Sequence, residues 1–122
     1  MTAPHLEPNP GHPITITPAP KRLRVMWNGK KIADTTRALD LKEASYPVVH
    51  YVPREDANMA IFEQTARKTH CPFKGDASYF TLKDGGANAD NAVWSYETPF
   101  PAVKQIAGHL AFYPDKVTFE YE

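Results

Sequence analysis

Cys71, Lys74 and Glu43 are the side chains whose types could do covalent or proton chemistry. Cys71 is the only cysteine. It sits in the run Thr69-His70-Cys71-Pro72-Phe73-Lys74-Gly75-Asp76-Ala77-Ser78-Tyr79-Phe80. A reactive thiolate needs a cation nearby, and Lys74 and His70 are the neighbours this stretch offers. Lys74 could instead form an imine or anchor an anion, with Gly75 letting backbone amides approach a ligand. As a nucleophile it would need desolvation or a second cation, with Glu43 or Asp76 carrying protons. The bland alternatives are a solvated Lys74 beside a left-handed Gly75 and a buried structural thiol. For Cys71 the structural thiol is favoured. Free cysteine is among the most buried residue types, and the thiol follows a predicted helix whose C-terminal dipole disfavours a thiolate. No Gly-x-x-x-x-Gly-Lys loop is present to cradle a nucleotide phosphate. No particular reaction follows from these residues.

A second constellation is suited to binding. Tyr51, Tyr79, Trp94 and Tyr96 would form either an aromatic platform or an aromatic core. Trp94 and Tyr96 share a face by the two-residue period of a strand, as do Ala77 and Tyr79. Aromatic walls with a few polar groups are the usual make-up of a small-molecule pocket. Arg37, Glu43 and Arg54 lie beside apolar strands, where a charge must be paired or face a ligand. An Arg37–Glu43 pair would be a structural clasp or one side of a polar pocket. His50, His70, Asp56 and Asp76 show no metal-ligand spacing, so neither metal nor cofactor is expected. His5, His12 and His109 carry no signal of their own.

Composition narrows the setting. The chain has 122 residues, with 42% hydrophobic and 23% charged side chains, which suits one globular domain. Fourteen basic residues balance fourteen acidic ones, so no basic field exists to attract a phosphate backbone and nucleic acid is not an expected partner. One cysteine builds no intrachain disulfide, which points to a reducing cytosolic compartment. No stretch has the length or apolarity of a signal peptide or membrane span.

The twelve prolines favour short strands and loops. Residues 1–13 read as a Pro-rich arm and residues 14–122 as a single domain. Ile14 and Ile16 alternate with threonines, as in an edge strand. Leu23, Val25 and Trp27 mark a half-buried strand, and Asn28-Gly29 a type I′ hairpin turn into Lys30–Thr35. Further strands are expected over 37–42, 46–52, 76–82 and 92–96. A helix is expected after an Asp56 N-cap, from the spacing of Met59, Phe62 and Ala66, ending at Pro72. Residues 84–91 read as a polar loop. A second short helix runs from Pro99 or Pro101 to Gly108, and a closing hairpin joins 110–113 to 117–121. The sum is a mainly β, antiparallel, barrel-like or sandwich-like domain with one or two short helices.

Several blocks carry a family likeness in order: Arg37-Ala38, Glu43, Tyr51 through Asp56, Thr69 through Tyr79, Trp94-Ser95-Tyr96 with Pro99, and Ala111-Phe112-Tyr113. Over residues 14–122 the chain resembles the family named domain of unknown function 427. Its Cys-Pro-x-Lys-Gly-x-Ala-x-Tyr block and Trp-x-Tyr pair are the most specific parts. The resemblance implies a β-tent, two antiparallel sheets meeting at an angle, as in methionine sulfoxide reductase B and the drug-binding domain of cereblon. Many β-tents clip their sheets with zinc on two Cys-x-x-Cys pairs, which this sequence lacks, so packing must replace the clip. A nucleotidyltransferase label attached to the family finds no supporting residues here. The expectation is a small-molecule cleft between the sheets, walled by Tyr51, Tyr79, Trp94 and Tyr96 and anchored by Arg37, Glu43, Arg54 and Lys74. The alternatives are an enzyme using Lys74 or Cys71, and an interaction module pairing through the arm or a sheet edge.

Overall fold

The computed structural model describes residues 4–122, so the first three residues of the expected arm lie outside it. Ten antiparallel strands account for most of the fold. They are β1 (Ile14–Pro18), β2 (Leu23–Trp27), β3 (Lys30–Thr35), β4 (Leu39–Glu43), β5 (Val49–Tyr51), β6 (Phe62–Cys71), β7 (Gly75–Asp84), β8 (Ala87–Ser95), β9 (Ala111–Phe112) and β10 (Thr118–Tyr121). Their hydrogen bonds define three sheets, ordered β1-β4-β5, β10-β2-β3 and β6-β7-β8-β9, where two sheets were expected. A single bridge splices the first to the third: Val52 and Leu110 exchange both backbone bonds at 2.8 Å. The mainly β, antiparallel class is the one the sequence implied. The sheets do not close into a barrel. No helix among the described residues is long and apolar enough to cross a membrane.

The Asn28-Gly29 hairpin forms as expected, with φ of 54° and 74° at its two central residues. Three expectations change. First, the helix from Asp56 does not exist. Arg54–Asp56 and Met59–Ile61 are single 3-10 turns, and the chain continues as the edge strand β6. Besides the Asp56 cap and the basic Arg67 and Lys68, the apolar spacing that argued for helix was only Met59, Phe62 and Ala66, while Thr65, Thr69, His70 and Cys71 are poor helix formers. Pairing with β7 therefore decides the outcome. Second, residues 84–91 are not a loop, because a Gly85-Gly86 turn closes β7 and β8 into a long hairpin. Third, β9 and β10 do not pair with each other. β9 adds to β8 and β10 to β2, so the Tyr113–Lys116 turn passes the chain from one sheet to another. The second expected helix is a kinked 3-10 segment, Pro101–Ile106, which buries Val103 and Ile106.

β7 is the spine of the molecule, buried on both faces from Ala77 to Leu82. Phe80 and Leu82 pack into a core with Leu23, Val25, Ile32, Val93 and Phe112. Ala77 and Tyr79 face a second cluster with Leu41, Tyr51, Tyr96, Val103 and Ile106. At roughly 1.5–3 kcal/mol per buried large side chain, these two clusters are the main favourable term in the fold.

Candidate functional site

Lys74 stands at the turn between β6 and β7. Its backbone N–H donates to the Cys71 carbonyl, with Pro72 at the second turn position, where a fixed φ suits the bend. Gly75 follows at φ 111°, a conformation that L side chains rarely adopt, and a Cβ placed on it would lie 3.6 Å from the Phe100 nitrogen. The Lys74 carbonyl in turn accepts from Phe100 N–H at 3.0 Å. Held this way, Lys74 turns its side chain inward and is only 8% exposed. Its ammonium donates to Glu43 Oε1, at the end of β4 in another sheet, and lies 5.9 Å from the centre of the Tyr96 ring. Glu43 Oε2 takes a second bond, from His12 Nε2 at 2.7 Å. Burial pushes the Glu43 carboxyl up, but the bonds from Lys74 and His12 outweigh it and hold the group below the usual carboxylate range.

Around this pair lies a cleft in two adjoining parts. An outer space of about 660 Å³ is walled by Tyr46, Pro47, Val48, Val49, His50, Trp94, Phe112, Pro114, Phe119 and Tyr121, with Cys71 on its lining. An inner recess of about 220 Å³ is lined by Leu41 and the rings of Tyr51, Tyr79, Tyr96 and Tyr113. Glu43, Lys74, Trp94, Tyr46, Pro47 and Val49 border both spaces. The walls of both parts are largely apolar, and four tyrosines besides Tyr46 line the recess. Burial raises the Tyr51 and Tyr96 phenols, keeping both protonated as donors. Burial raises Tyr113 to about 12. Burial alone would raise Tyr79 as well. Bonds from Thr69 and Tyr113, with the Arg67 guanidinium 4.8 Å over the ring, reverse that and lower it.

The residues singled out from the sequence divide cleanly. Glu43, Tyr51, Cys71, Lys74, Tyr79, Trp94 and Tyr96 border the cleft. Arg37, Arg54 and Asp76 do not. Arg37 is exposed and pairs with Asp56 and Glu55 at 3.1 Å, not with Glu43. Arg54 clasps the Gly108 carbonyl, Ser95 Oγ and Glu97, on the wall of a separate shallow pocket. Asp76 is exposed and bonded to His70, so it cannot carry protons in this cleft. Cys71 ends a strand, which removes the helix-dipole argument against its thiolate. Among the described residues no three His, Cys, Asp or Glu side chains gather as a metal site needs. His50 bonds Asp40 at 2.6 Å and His70 bonds Asp76. The sequence reading missed His12, Tyr46 and Tyr113. Nothing in the spacing marks His12, whose partner lies 31 positions away. Tyr113 was hidden by the mistaken closing hairpin.

Fold and site together describe a small, mainly β protein with an aromatic cleft and a buried Lys–Glu pair at its floor. The chain belongs to the family described as a domain of unknown function (DUF427), which it matches over residues 15–122. None of the curated proteins matches it.

Proposed function

We propose that this protein binds a small amphipathic molecule, with the apolar body in the outer cleft and a hydrogen-bonding head in the inner recess. The observation that carries this reading is the placement of the Lys74–Glu43 pair at the border of both spaces. Burying an ammonium and a carboxylate together is costly and often no better than an apolar pair, so such a pair facing a cleft fits a recognition role. The outer volume also lies in the range of small-molecule pockets. A head group offering both a donor and an acceptor, such as a primary amide, matches the ammonium, the carboxylate and the phenol donors. Catalysis by Lys74 has less support. Its nearest charge is a carboxylate, the reverse of the neighbouring cation that activates a lysine nucleophile. Cys71 keeps an enzymatic reading open only through its place on the cleft wall.

The test is a thermal-shift screen of compounds that join an aromatic or alkyl body to one amide or hydroxyl head, benzamide among them. Ligand at tenfold over its Kd should raise Tm by on the order of 5 °C. Trp94→Ala and Glu43→Gln should each abolish that shift. If no compound shifts the wild type, or if the shifts survive both variants, the cleft is not the binding site.

A further inference from the structure

We infer that His12, carried by the N-terminal arm, is a positioning residue for the Lys74–Glu43 pair, so that the arm completes the site from outside it. The positioning itself stands on geometry alone. Only its consequence for affinity rests on the ligand-binding reading above.

The carboxylate of Glu43 has two oxygens and two donors, one from each side. Oε1 takes the Lys74 ammonium from the β6–β7 turn, and Oε2 takes His12 Nε2 at 2.7 Å. With a carboxylate opposite, that ring nitrogen must carry the hydrogen. Loss of His12 would leave Oε2 unsatisfied and the carboxylate free to rotate away from Lys74. The chain delivers His12 by register. Ile14 pairs with Glu43 across β1 and β4, and Ala44 N–H donates to the Pro13 carbonyl at 2.8 Å, so His12 arrives beside the end of β4. A turn from Asn9 to His12 then orients the ring, with His12 N–H donating to the Asn9 carbonyl at 2.8 Å.

The arm also grips the turn that bears Lys74. His12 stacks on Phe73 at 3.9 Å and 7°, His5 stacks on Phe100 at 3.8 Å, and Leu6 N–H donates to the Pro72 carbonyl at 2.7 Å. His70 Nε2 sits 2.6 Å from the Pro4 carbonyl. Prolines at 4, 8, 10 and 13 limit the freedom the free arm has to lose when it docks. One segment therefore touches both partners of the pair, Glu43 through its carboxylate and Lys74 through its turn. His12 does not border the cleft, so its effect on a ligand must pass through Glu43 or the turn that bears Lys74.

Amine acylation of the full chain, read residue by residue by mass spectrometry, tests this without a ligand. In the wild type Lys74 should react about tenfold more slowly than Lys104, which is exposed and makes no side-chain ion pair among the described residues, in keeping with burial and a charge-assisted hydrogen bond. His12→Ala should raise the Lys74 rate several-fold with an unchanged circular dichroism spectrum. His12→Gln, which keeps an N–H donor at similar reach, should restore much of the protection, and His109→Ala should change nothing. If His12→Ala perturbs the fold, His5→Ala, which removes the stack on Phe100 and an exposed contact with Glu7, should raise the Lys74 rate more mildly. A Lys74 as reactive as Lys104 in the wild type, or one indifferent to both His12→Ala and His5→Ala, overturns the inference. So does a failure of His12→Gln to protect more than His12→Ala, because shielding by the arm alone would not need the donor. Benzamide added to the same variants separates the two readings. Labelling that follows His12 while added benzamide neither binds nor alters it leaves the positioning role standing and counts against the ligand-binding reading.

Discussion

Lys74 and Glu43 are 10% and 13% exposed at their side chains, so each is the other's main replacement for water. Removing one leaves a partly buried charge without its partner, whereas removing both does not. Glu43→Gln and Lys74→Met should each cost about 1–3 kcal/mol in urea unfolding, and the double variant should cost at least about 1 kcal/mol less than their sum. Additive costs would mean that the pair is not coupled. The pH dependence has a definite sign. The folded Glu43 carboxyl is held below its ordinary value, so its contribution is fully present above the unfolded pKa near 4.3 and fades as pH falls through the folded value. The stability gap between wild type and Glu43→Gln should therefore be constant near neutrality and shrink below about pH 4. At this scale the sequence revealed which residues are chemically able but not who meets whom. Lys74 and Glu43 were legible as polar groups beside apolar strands, yet Arg37 found Asp56 on a neighbouring turn and left Glu43 to His12. Charge partners are set by tertiary register, which spacing along the chain does not encode.

Among the elements, hairpins whose turn chemistry is local were readable and those decided by distant pairing were not. Asn28-Gly29 demands positive φ at two positions and admits few alternatives. β6 carries Glu63, Arg67 and Lys68 on an edge, the charged outer strand that discourages pairing with other chains, and it shows no apolar alternation to announce itself. Its identity comes from β7, whose strong strand preference it completes through a bulge between Gln64 and Lys68. The β6–β7 turn links element to site, because it aims Lys74. Gly75→Ala meets only ordinary contact distances, 3.6 Å to Phe100 N, so its cost is conformational, from φ of 111°. It should destabilise by about 1–2 kcal/mol, measured by urea titration, and should expose Lys74 to acylation. Gly85→Ala, in a turn far from the cleft, should carry a similar strain but leave Lys74 labelling as in the wild type.

Across the whole molecule, a small antiparallel β system was legible from strand count and turn spacing, and two sheets were implied by the family resemblance; three hydrogen-bonded sheets form, with Val52 and Leu110 joining two of them. Leu110 is fully buried in the core shared by Val25, Phe80 and Phe112. The splice is thus also a packing point between the sheet containing β2 and the one containing β7. That arrangement couples the sheets, and it bears on whether residues 14–122 act as one domain. The two tryptophans report on different sheets: Trp27 ends β2, and Trp94 lies in β8 on the cleft wall. Trp27→Phe and Trp94→Phe leave one reporter each. In a cooperative domain each variant's fluorescence midpoint in urea should coincide with its own circular dichroism midpoint. Leu110→Ala, introduced into both, should lower all the midpoints together at a cost of about 2–5 kcal/mol. If Trp94 reports unfolding before Trp27 in the Leu110→Ala background, packing around Leu110 holds together two separately stable units. If the signals separate without that substitution, residues 14–122 are not a single cooperative domain.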